Sequence, residues 1–128
     1  MDFAKIISNY LEIVFQKYVA FEGRAGRPEF WYFMLVNVII IIILRVISQV
    51  LGFPVGEYFG LLDGLYWLAI LLPNLGVQVR RLHDTGKTGW WVLALFVPIL
   101  GTILLIVFWA QAGQDGDNEY GSPPSAIA

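Results

Sequence analysis

The sequence predicts an all-α membrane protein in which an N-terminal amphipathic, interfacial helix is followed by about three transmembrane helices. Hydrophobic residues make up 58% of the 128 residues, and charged residues only 14%. A soluble domain has about 45–50% apolar and about 25% charged residues, so this chain has more apolar surface than one small globule can bury. The uncharged run 88–114 is the strongest membrane signal, because a bilayer is crossed by about 20 residues of helix.

The composition also excludes several classes of function. The length fits a single domain, and the net charge of −2 leaves no basic patch for a nucleic acid. There is no cysteine, which excludes disulfides, thiol catalysis and cysteine-bound zinc. His83 is the only histidine, so a metal centre would lack ligands. We therefore expect no nucleic-acid partner, no metal and no cofactor.

Residues 2–20 form the predicted amphipathic helix. Its apolar residues recur at helical spacing: Phe3, Ile6, Ile7, Tyr10, Leu11, Val14 and Tyr18. Such a helix can lie in the headgroup plane, or it can pack on the other helices as an ordinary core element. The pattern fits both placements equally.

The three predicted spans are residues 30–50, 61–79 and 90–110, and the polar tail is 113–128. The tail is rich in glycine, proline and aspartate, and we expect it to be extended or disordered. Pro73 interrupts the second span, so the Ala69 carbonyl loses its helical donor and a kink is expected there.

The positions of the basic residues predict the orientation in the membrane, because cytoplasmic segments carry an excess of lysine and arginine. Seven of the eight basic residues flank the spans on one side: Lys5, Lys17, Arg24, Arg27, Arg80, Arg81 and Lys87. The N-terminus and the segment 80–89 are therefore expected in the cytoplasm. Three spans would then put the acidic tail on the opposite side.

Two charges lie inside the predicted spans, near the same interface. Arg45 is close to the end of the first span and Asp63 opens the second. The simpler interpretation is a structural clamp between the two spans, since charges near an interface often pair and reach towards water. The alternative is an ion or substrate site.

A polar stripe follows one face of the second span. Asn74, Gln78 and Arg81 are spaced i, i+4 and i+7, and Asn37 of the first span can meet them. Polar side chains in lipid seek partners on other helices, which favours a role in helix association. The alternative is the lining of a polar cavity open to the cytoplasm.

The segment 80–87 is predicted to be a charged turn at the level of the cytoplasmic headgroups. Arg80, Arg81 and His83 lie there, and Arg24 and Arg27 are expected on the same side. Each cation near an anionic leaflet contributes about 1 kcal/mol of attraction, so this surface suits lipid phosphates. Alternatively, these charges only set the topology and pair with acidic neighbours such as Asp84.

Three motifs in order carry a resemblance to a known family. Residues 23–31 read G-R-A-G-R-P-E-F-W, residues 80–86 read R-R-L-H-D-T-G and are followed by Trp90-Trp91, and residues 113–121 read G-Q-D-G-D-N-E-Y-G. On these motifs the chain resembles the bacterial membrane proteins grouped as domain of unknown function 805, over nearly its whole length. Pro28 stands where a polar residue is common in that family. The resemblance implies an inner-membrane protein with about three helices and gives no catalytic residue.

We therefore expect an integral inner-membrane protein that binds lipid or a partner protein and is not an enzyme. The candidate binding residues are Arg24, Arg27, Arg80, Arg81, His83 and Asp84. One alternative is a membrane enzyme that acts on a phosphate or headgroup with His83 and Asp84, although adjacent helix residues do not face each other. The other is a subunit of an oligomeric transporter or channel lined by Asn74 and Gln78, although paired broken helices are absent.

Overall fold

The computed structural model describes residues 3–52, 54–55 and 59–124, and they form an all-α fold, as predicted. The helices are α1 (Phe3–Phe15), α2 (Arg27–Leu51), α3 (Leu61–Asp84), a 3₁₀ helix (Gly89–Phe96) and α4 (Leu100–Ala110). Between α2 and α3 the two-residue strands β1 (Pro54–Val55) and β2 (Phe59–Gly60) pair antiparallel, with Val55 opposite Phe59.

By length and composition, α2 and α3 are both long and apolar enough to cross a membrane. Their 25 and 24 residues extend over about 36 Å at 1.5 Å per residue, more than the about 30 Å of hydrocarbon in a bilayer. Pro28 lies in the first turn of α2, where its missing N–H is not needed. Gly52 ends α2 in a left-handed conformation, with φ 77°.

α3 continues five residues beyond the predicted end at residue 79, so residues 80–84 are its last helical turn. The predicted charged turn is therefore a helix end, and the connector to the next element begins at Thr85. Basic side chains are favourable near a helix C-terminus because they offset its negative dipole. Below, "near end" means the end of the α2–α3 pair that carries Arg27 and Asp84, and "far end" the opposite one.

α1 ends at Phe15, five residues earlier than predicted, and it lies across the near end of α2. The Asn9 amide donates to the Glu29 carbonyl at 3.1 Å, and the Tyr10 ring stacks on Phe33 with 5.7 Å between centroids. Ile6, Asn9 and Ile13 form its buried face. An exposed apolar stripe faces outward, formed by Phe3, Ile7, Leu11 and Phe15. α1 therefore packs on the spanning helices and still presents an apolar face to its surroundings.

The third apolar segment is divided into two short helices that fold back on each other. Gly101 packs so closely on Ala94 that a Cβ would overlap the Ala94 carbonyl, and farther from the turn the rings of Trp91 and Phe108 are 5.3 Å apart. Residues 89–110 are therefore an antiparallel hairpin, which we call the apolar hairpin, in place of the single helix expected over 90–110.

Pro98 and Ile99 explain the reversal. Pro98 has no N–H with which to continue the 3₁₀ helix. Ile99 has φ 67° and ψ −68°, and the Leu100 N–H donates to the Pro98 carbonyl at 2.7 Å. This is a γ-turn with positive central φ, a rare and strained conformation. The turn returns α4 to the near end.

The core lies at the near end. Its buried apolar residues come from α1, from residues 16–26 between α1 and α2 (the connector), and from α2, α3 and α4: Ile13, Ala25, Phe30, Phe33, Val77, Leu82, Leu105 and Trp109. All those from α2 and α3 lie in the halves next to Arg27 and Asp84.

Pro73 lies inside α3, and the carbonyl that it leaves without a backbone donor has found a side-chain donor. The Tyr18 hydroxyl donates to the Ala69 carbonyl at 2.6 Å. Tyr18, three residues after the end of α1, thereby compensates for the proline, and α3 remains helical from Leu61 to Asp84.

We expect Tyr18→Phe to lower the free energy of unfolding by about 1 kcal/mol, because the Ala69 carbonyl loses its donor. Pro73→Ala restores a backbone N–H at that carbonyl, so Tyr18→Phe should cost clearly less in the Pro73→Ala background. SDS titration of the detergent-solubilised protein measures all four variants of this cycle. Equal costs in the two backgrounds would contradict the compensation.

Candidate functional site: a buried arginine clasp

Five charged residues of the first two motifs lie buried next to one another at the near end, and we call this group the arginine clasp. It consists of Arg24, Arg80, Arg81, Glu29 and Asp84. The side chains of Arg24 and Arg81 are 0% exposed, and that of Arg80 is 4% exposed. The three arginines were expected to form a cationic surface or, alternatively, to pair with acidic neighbours. In the structure they are interior and pair with Asp84 and Glu29.

Arg81 closes the C-terminal end of α4. Its Nε donates to the Trp109 carbonyl at 2.8 Å, and its Nη2 donates to the Gln111 carbonyl. Its Nη1 donates to the Asp84 carboxylate at 2.6 Å and to the Ala25 carbonyl at 3.2 Å. The last carbonyls of a helix have no partner within it. Arg81 supplies donors and a positive charge to them, both of which are stabilising at that end.

Arg24 binds the tail in the same manner. Its Nε donates to the Asp84 carboxylate at 3.0 Å. Its two terminal nitrogens donate to tail carbonyls, at 2.5 Å to Gln114, 2.7 Å to Gly116 and 3.3 Å to Gly121. Asp84 therefore accepts hydrogen bonds from two arginines. Three carbonyls of the tail accept hydrogen bonds from the single guanidinium group of Arg24.

Glycine at position 113 is required by this arrangement. A Cβ there would overlap the Asp84 carboxylate. The next residue, Gln114, donates its N–H to the Asp84 carbonyl at 2.8 Å. The first glycine of the third motif thus allows the tail backbone to reach the end of α3.

Arg80 joins α3 to the connector and to α2. Its Nη1 donates to the Glu29 carboxylate and its Nε to the Ala20 carbonyl at 3.1 Å. Lys17 is also paired with Glu29, at 3.4 Å. Among the described residues, the buried Arg80 Nη2 has no hydrogen-bond partner. The clasp therefore holds three guanidinium groups against two carboxylates, and its positive charge is not fully neutralised.

His83 is covered by the tail. Its Nδ1 lies 2.9 Å from the Gly23 carbonyl oxygen, and its ring stacks on Tyr120 with 4.0 Å between centroids. Asn118 donates to the His83 carbonyl at 2.9 Å. Burial raises the pKa of the Tyr120 phenol, and Glu119 raises it further.

The tail is therefore ordered up to Pro124 and lies at the near end, with an Asn118–Gly121 bridge. The predictions of an extended or disordered tail, and of a tail on the side opposite the charged segment, are wrong over these residues. The reason is the apolar hairpin, which returns the chain to the end from which it came. Residues 125–128 lie outside the described part of the chain.

Two cations lie at the edge of the clasp. Lys87 donates to the Gln111 side chain at 2.9 Å and lies 4.5 Å from the centre of the Phe108 ring. Burial lowers the pKa of Lys87, and the nearby charge of Arg81 lowers it further. Arg27 is exposed, and its charge and that of Arg81 repel each other. Of the six candidate binding residues, Arg27 alone is exposed.

At the far end, Arg45 and Asp63 come together as the sequence suggests. Arg45 Nη1 lies 3.8 Å from Asp63 Oδ2, and Asp63 Oδ1 accepts the Gly60 N–H at 2.9 Å. The Ser48 hydroxyl accepts the Leu62 N–H at 3.1 Å. This geometry is that of a clamp between the end of α2 and the start of α3.

Asn37 meets a tyrosine instead of the polar stripe. The Tyr66 hydroxyl donates to the Asn37 side-chain oxygen at 2.5 Å, and the Tyr10 hydroxyl is 2.6 Å from that of Tyr66. Since Tyr66 has one hydroxyl hydrogen, Tyr10 must be the donor to Tyr66. Sequence reasoning missed these two partners because tyrosines were counted only as apolar residues.

The rest of the stripe is not connected in this way. The side-chain oxygens of Asn74 and Gln78 are buried and have no hydrogen-bond partner among the described residues. Asn37 and Asn74 line the same cavity of about 190 Å³, whose other walls are apolar. These two oxygens therefore do not connect the stripe to the clasp by hydrogen bonds.

The clasp residues lie within the part of the chain that matches a known protein family. The model of the family described as Protein of unknown function (DUF805) matches residues 18–122, a range that includes every clasp residue and every tail residue bound to it. The chain belongs to the DUF805 family. With two helices of spanning length, it is an integral membrane protein of that family.

Three proteins of Escherichia coli strain K12 match the chain over most of their length. The chain is 41% identical to "Inner membrane protein YhaH" over 115 residues, 90% of this chain and 94% of that protein. It is 44% identical to "Inner membrane protein YhaI", with 90% and 93% covered. A more distant match is "Uncharacterized protein YiiR", 25% identical with 80% and 84% covered. No solved structure matches the chain significantly.

We expect Arg81→Ala to lower the free energy of unfolding by about 3–5 kcal/mol, because it leaves Asp84 and the end of α4 without their donors. Arg81→Lys should recover little of this loss, since one ammonium group cannot reach carbonyls in several directions. SDS titration measures both variants. The matched control is Arg27→Ala, expected within about 0.5 kcal/mol of the wild type as a surface substitution; similar losses at the two positions would contradict the clasp.

Proposed function

We propose that the protein is a non-enzymatic integral protein of the bacterial inner membrane whose near end faces the cytoplasm and binds anionic lipid around Arg27. The observation that carries this proposal is the contrast between Arg27 and the five buried candidates. Arg27 is exposed at the start of α2, whose N-terminus has no side-chain cap. A helix N-terminus favours anions, and the incompletely neutralised clasp beneath it adds further positive potential.

The distribution of cations supports the orientation. The near end carries Lys17, Arg24, Arg27, Arg80, Arg81 and Lys87, and Arg45 lies at the far end. By the positive-inside rule, the near end belongs in the cytoplasm. α1 and the tail both lie at that end, so we propose that both termini are cytoplasmic. The relatives named as inner membrane proteins support the choice of membrane.

The geometry of His83 and Asp84 favours a binding function over catalysis. Asp84 is bound by Arg24 and Arg81, and the ring of His83 is fixed by Gly23 and Tyr120. A general base needs an orienting partner and access to its substrate. In the described structure the carboxylate does not orient the imidazole, and the tail covers the ring.

The topology is tested by single cysteines in the cysteine-free chain. We expect Ser122→Cys to be protected from a membrane-impermeant maleimide in spheroplasts and labelled in inverted vesicles. The control is Leu51→Cys at the exposed far end of α2, which should show the opposite pattern. Labelling of both cysteines in spheroplasts would contradict two cytoplasmic termini.

The lipid site is tested by native mass spectrometry in mild detergent with phosphatidylglycerol. We expect Arg27→Gln to weaken lipid retention about fivefold, as one cation contributes about 1 kcal/mol, and to leave the unfolding free energy unchanged. Arg27→Lys keeps the charge and should retain lipid. Equal retention by Arg27→Gln and the wild type would overturn the site and redirect the search to partner proteins.

A further inference from the structure

The two ends of the spanning helices differ in how much protein surrounds them. In α2 the buried residues are Glu29, Phe30, Phe33 and Asn37, and after them only Ser48. In the far half of α3, Leu65 is 56% and Leu68 70% exposed, whereas residues 76–78 and 80–84 are buried. The far half is therefore a pair of helices with apolar surfaces on its outside, and the near half is a packed bundle.

The apolar hairpin accounts for much of this difference. It is about half as long as the hydrocarbon core of a bilayer is thick. The 3₁₀ helix extends over about 16 Å at 2.0 Å per residue and α4 over about 16 Å at 1.5 Å per residue, against about 30 Å of hydrocarbon. Arg81 fixes the base of the hairpin at the near end. Its tip, at Phe96 and Ile99, is about 16 Å from this base, and both side chains are largely exposed.

α1 adds to the near half of α2, and its neighbours on α3 extend past the middle of that helix. It contacts α2 at Glu29 and Phe33, within the first two turns. The Tyr10 hydroxyl, and the Tyr18 hydroxyl in the segment after α1, reach α3 at Tyr66 and Ala69. The stripe at Phe3, Ile7, Leu11 and Phe15 continues the apolar exterior of the bundle.

From this asymmetry we propose that the protein is a rigid wedge in the membrane, which favours and stabilises curvature in which the leaflet at the near end is convex. In the described part of the chain, five helical segments lie towards the near end, and α2 and α3 alone continue to the far end. A body that inserts more cross-section into one leaflet expands it relative to the other, and binding of this kind is sensitive to curvature. In a cell this proposal rests on the proposed cytoplasmic position of the near end.

The clasp makes the wedge rigid. To reduce the cross-section at the near end, the hairpin would have to move away from the other helices. That movement would break the hydrogen bonds of Arg81 to Trp109 and Gln111. The tail is held by Arg24 through three further carbonyls. Uncovering these buried guanidinium groups in a low-dielectric region is costly, so the bilayer is the softer element and adapts to the protein.

The test uses tubes pulled outward from giant vesicles of phosphatidylethanolamine and phosphatidylglycerol. Reconstitution gives both orientations, and an impermeant fluorophore added outside labels only outward-facing cysteines. Ser122→Cys then reports molecules with the near end outward, and Leu51→Cys those with the far end outward. We expect the tube-to-vesicle ratio to rise about twofold or more for the first population and to fall below one for the second. Equal ratios for the two would overturn the wedge.

A substitution at the hairpin tip tests the contribution of the hairpin. Phe96→Asp puts a carboxylate on the apolar tip, so the tip should move to the headgroups of the same leaflet, and the tube-to-vesicle ratio of the Ser122→Cys protein should rise further because interfacial insertion expands that leaflet. Phe96→Leu keeps the tip apolar and should sort like the wild type. Sorting unchanged by Phe96→Asp would contradict the role of the hairpin. The orientation in cells is measured independently by cysteine labelling, so failure of the topology and failure of the wedge are distinct results.

Discussion

The interaction of three buried guanidinium groups with backbone carbonyls fixes the connector, the end of α4 and the tail at the near end. Arg80 reaches the connector at Ala20, Arg81 reaches α4 at Trp109, and Arg24 reaches the tail at Gly116. An arginine with 0% exposure must satisfy its donors within the protein, because no water is available to do so. The clasp therefore requires the end of α4 and the tail to lie at the near end, next to the connector.

Backbone carbonyls are better acceptors for these buried arginines than additional carboxylates would be. A carboxylate for each arginine would bring further charges out of water, and each carries a large desolvation cost. The end of α4 already has carbonyls without partners, and the Trp109 and Gln111 oxygens lie at the negative end of its dipole. Two carboxylates, Glu29 and Asp84, then suffice to orient the three arginines.

The sequence predicts the helical class, both long spans and the pairing of Arg45 with Asp63, because these depend on hydropathy and on charges in neighbouring turns. Pairing of these charges with Asp84 is one of the two interpretations that the sequence leaves open. The other partners of Arg24 and Arg81 cannot be predicted, because they are main-chain atoms up to 97 residues away along the chain. A carbonyl oxygen carries no signature in the residue type. The glycines at 113 and 101 can be read from the sequence. The reason that each must be glycine cannot, because it depends on which atoms of the folded chain lie against it.

The same limit explains the hairpin, and magnitudes show why it forms in place of a third span. Residues 90–110 have the length and hydropathy of a span, and a continuous helix would avoid the strained turn at Ile99, which costs about 1–3 kcal/mol. A third span would, however, place residues 109–121 at the far end. The guanidinium groups of Arg24 and Arg81 would then lose the carbonyls to which they donate. Arg24 and Arg81 make five hydrogen bonds to carbonyls of these residues, each worth about 1.5–3 kcal/mol when one partner is charged. The loss exceeds the strain several-fold, so the buried arginines of α3 and the connector decide the course of a segment that contains no charge of its own.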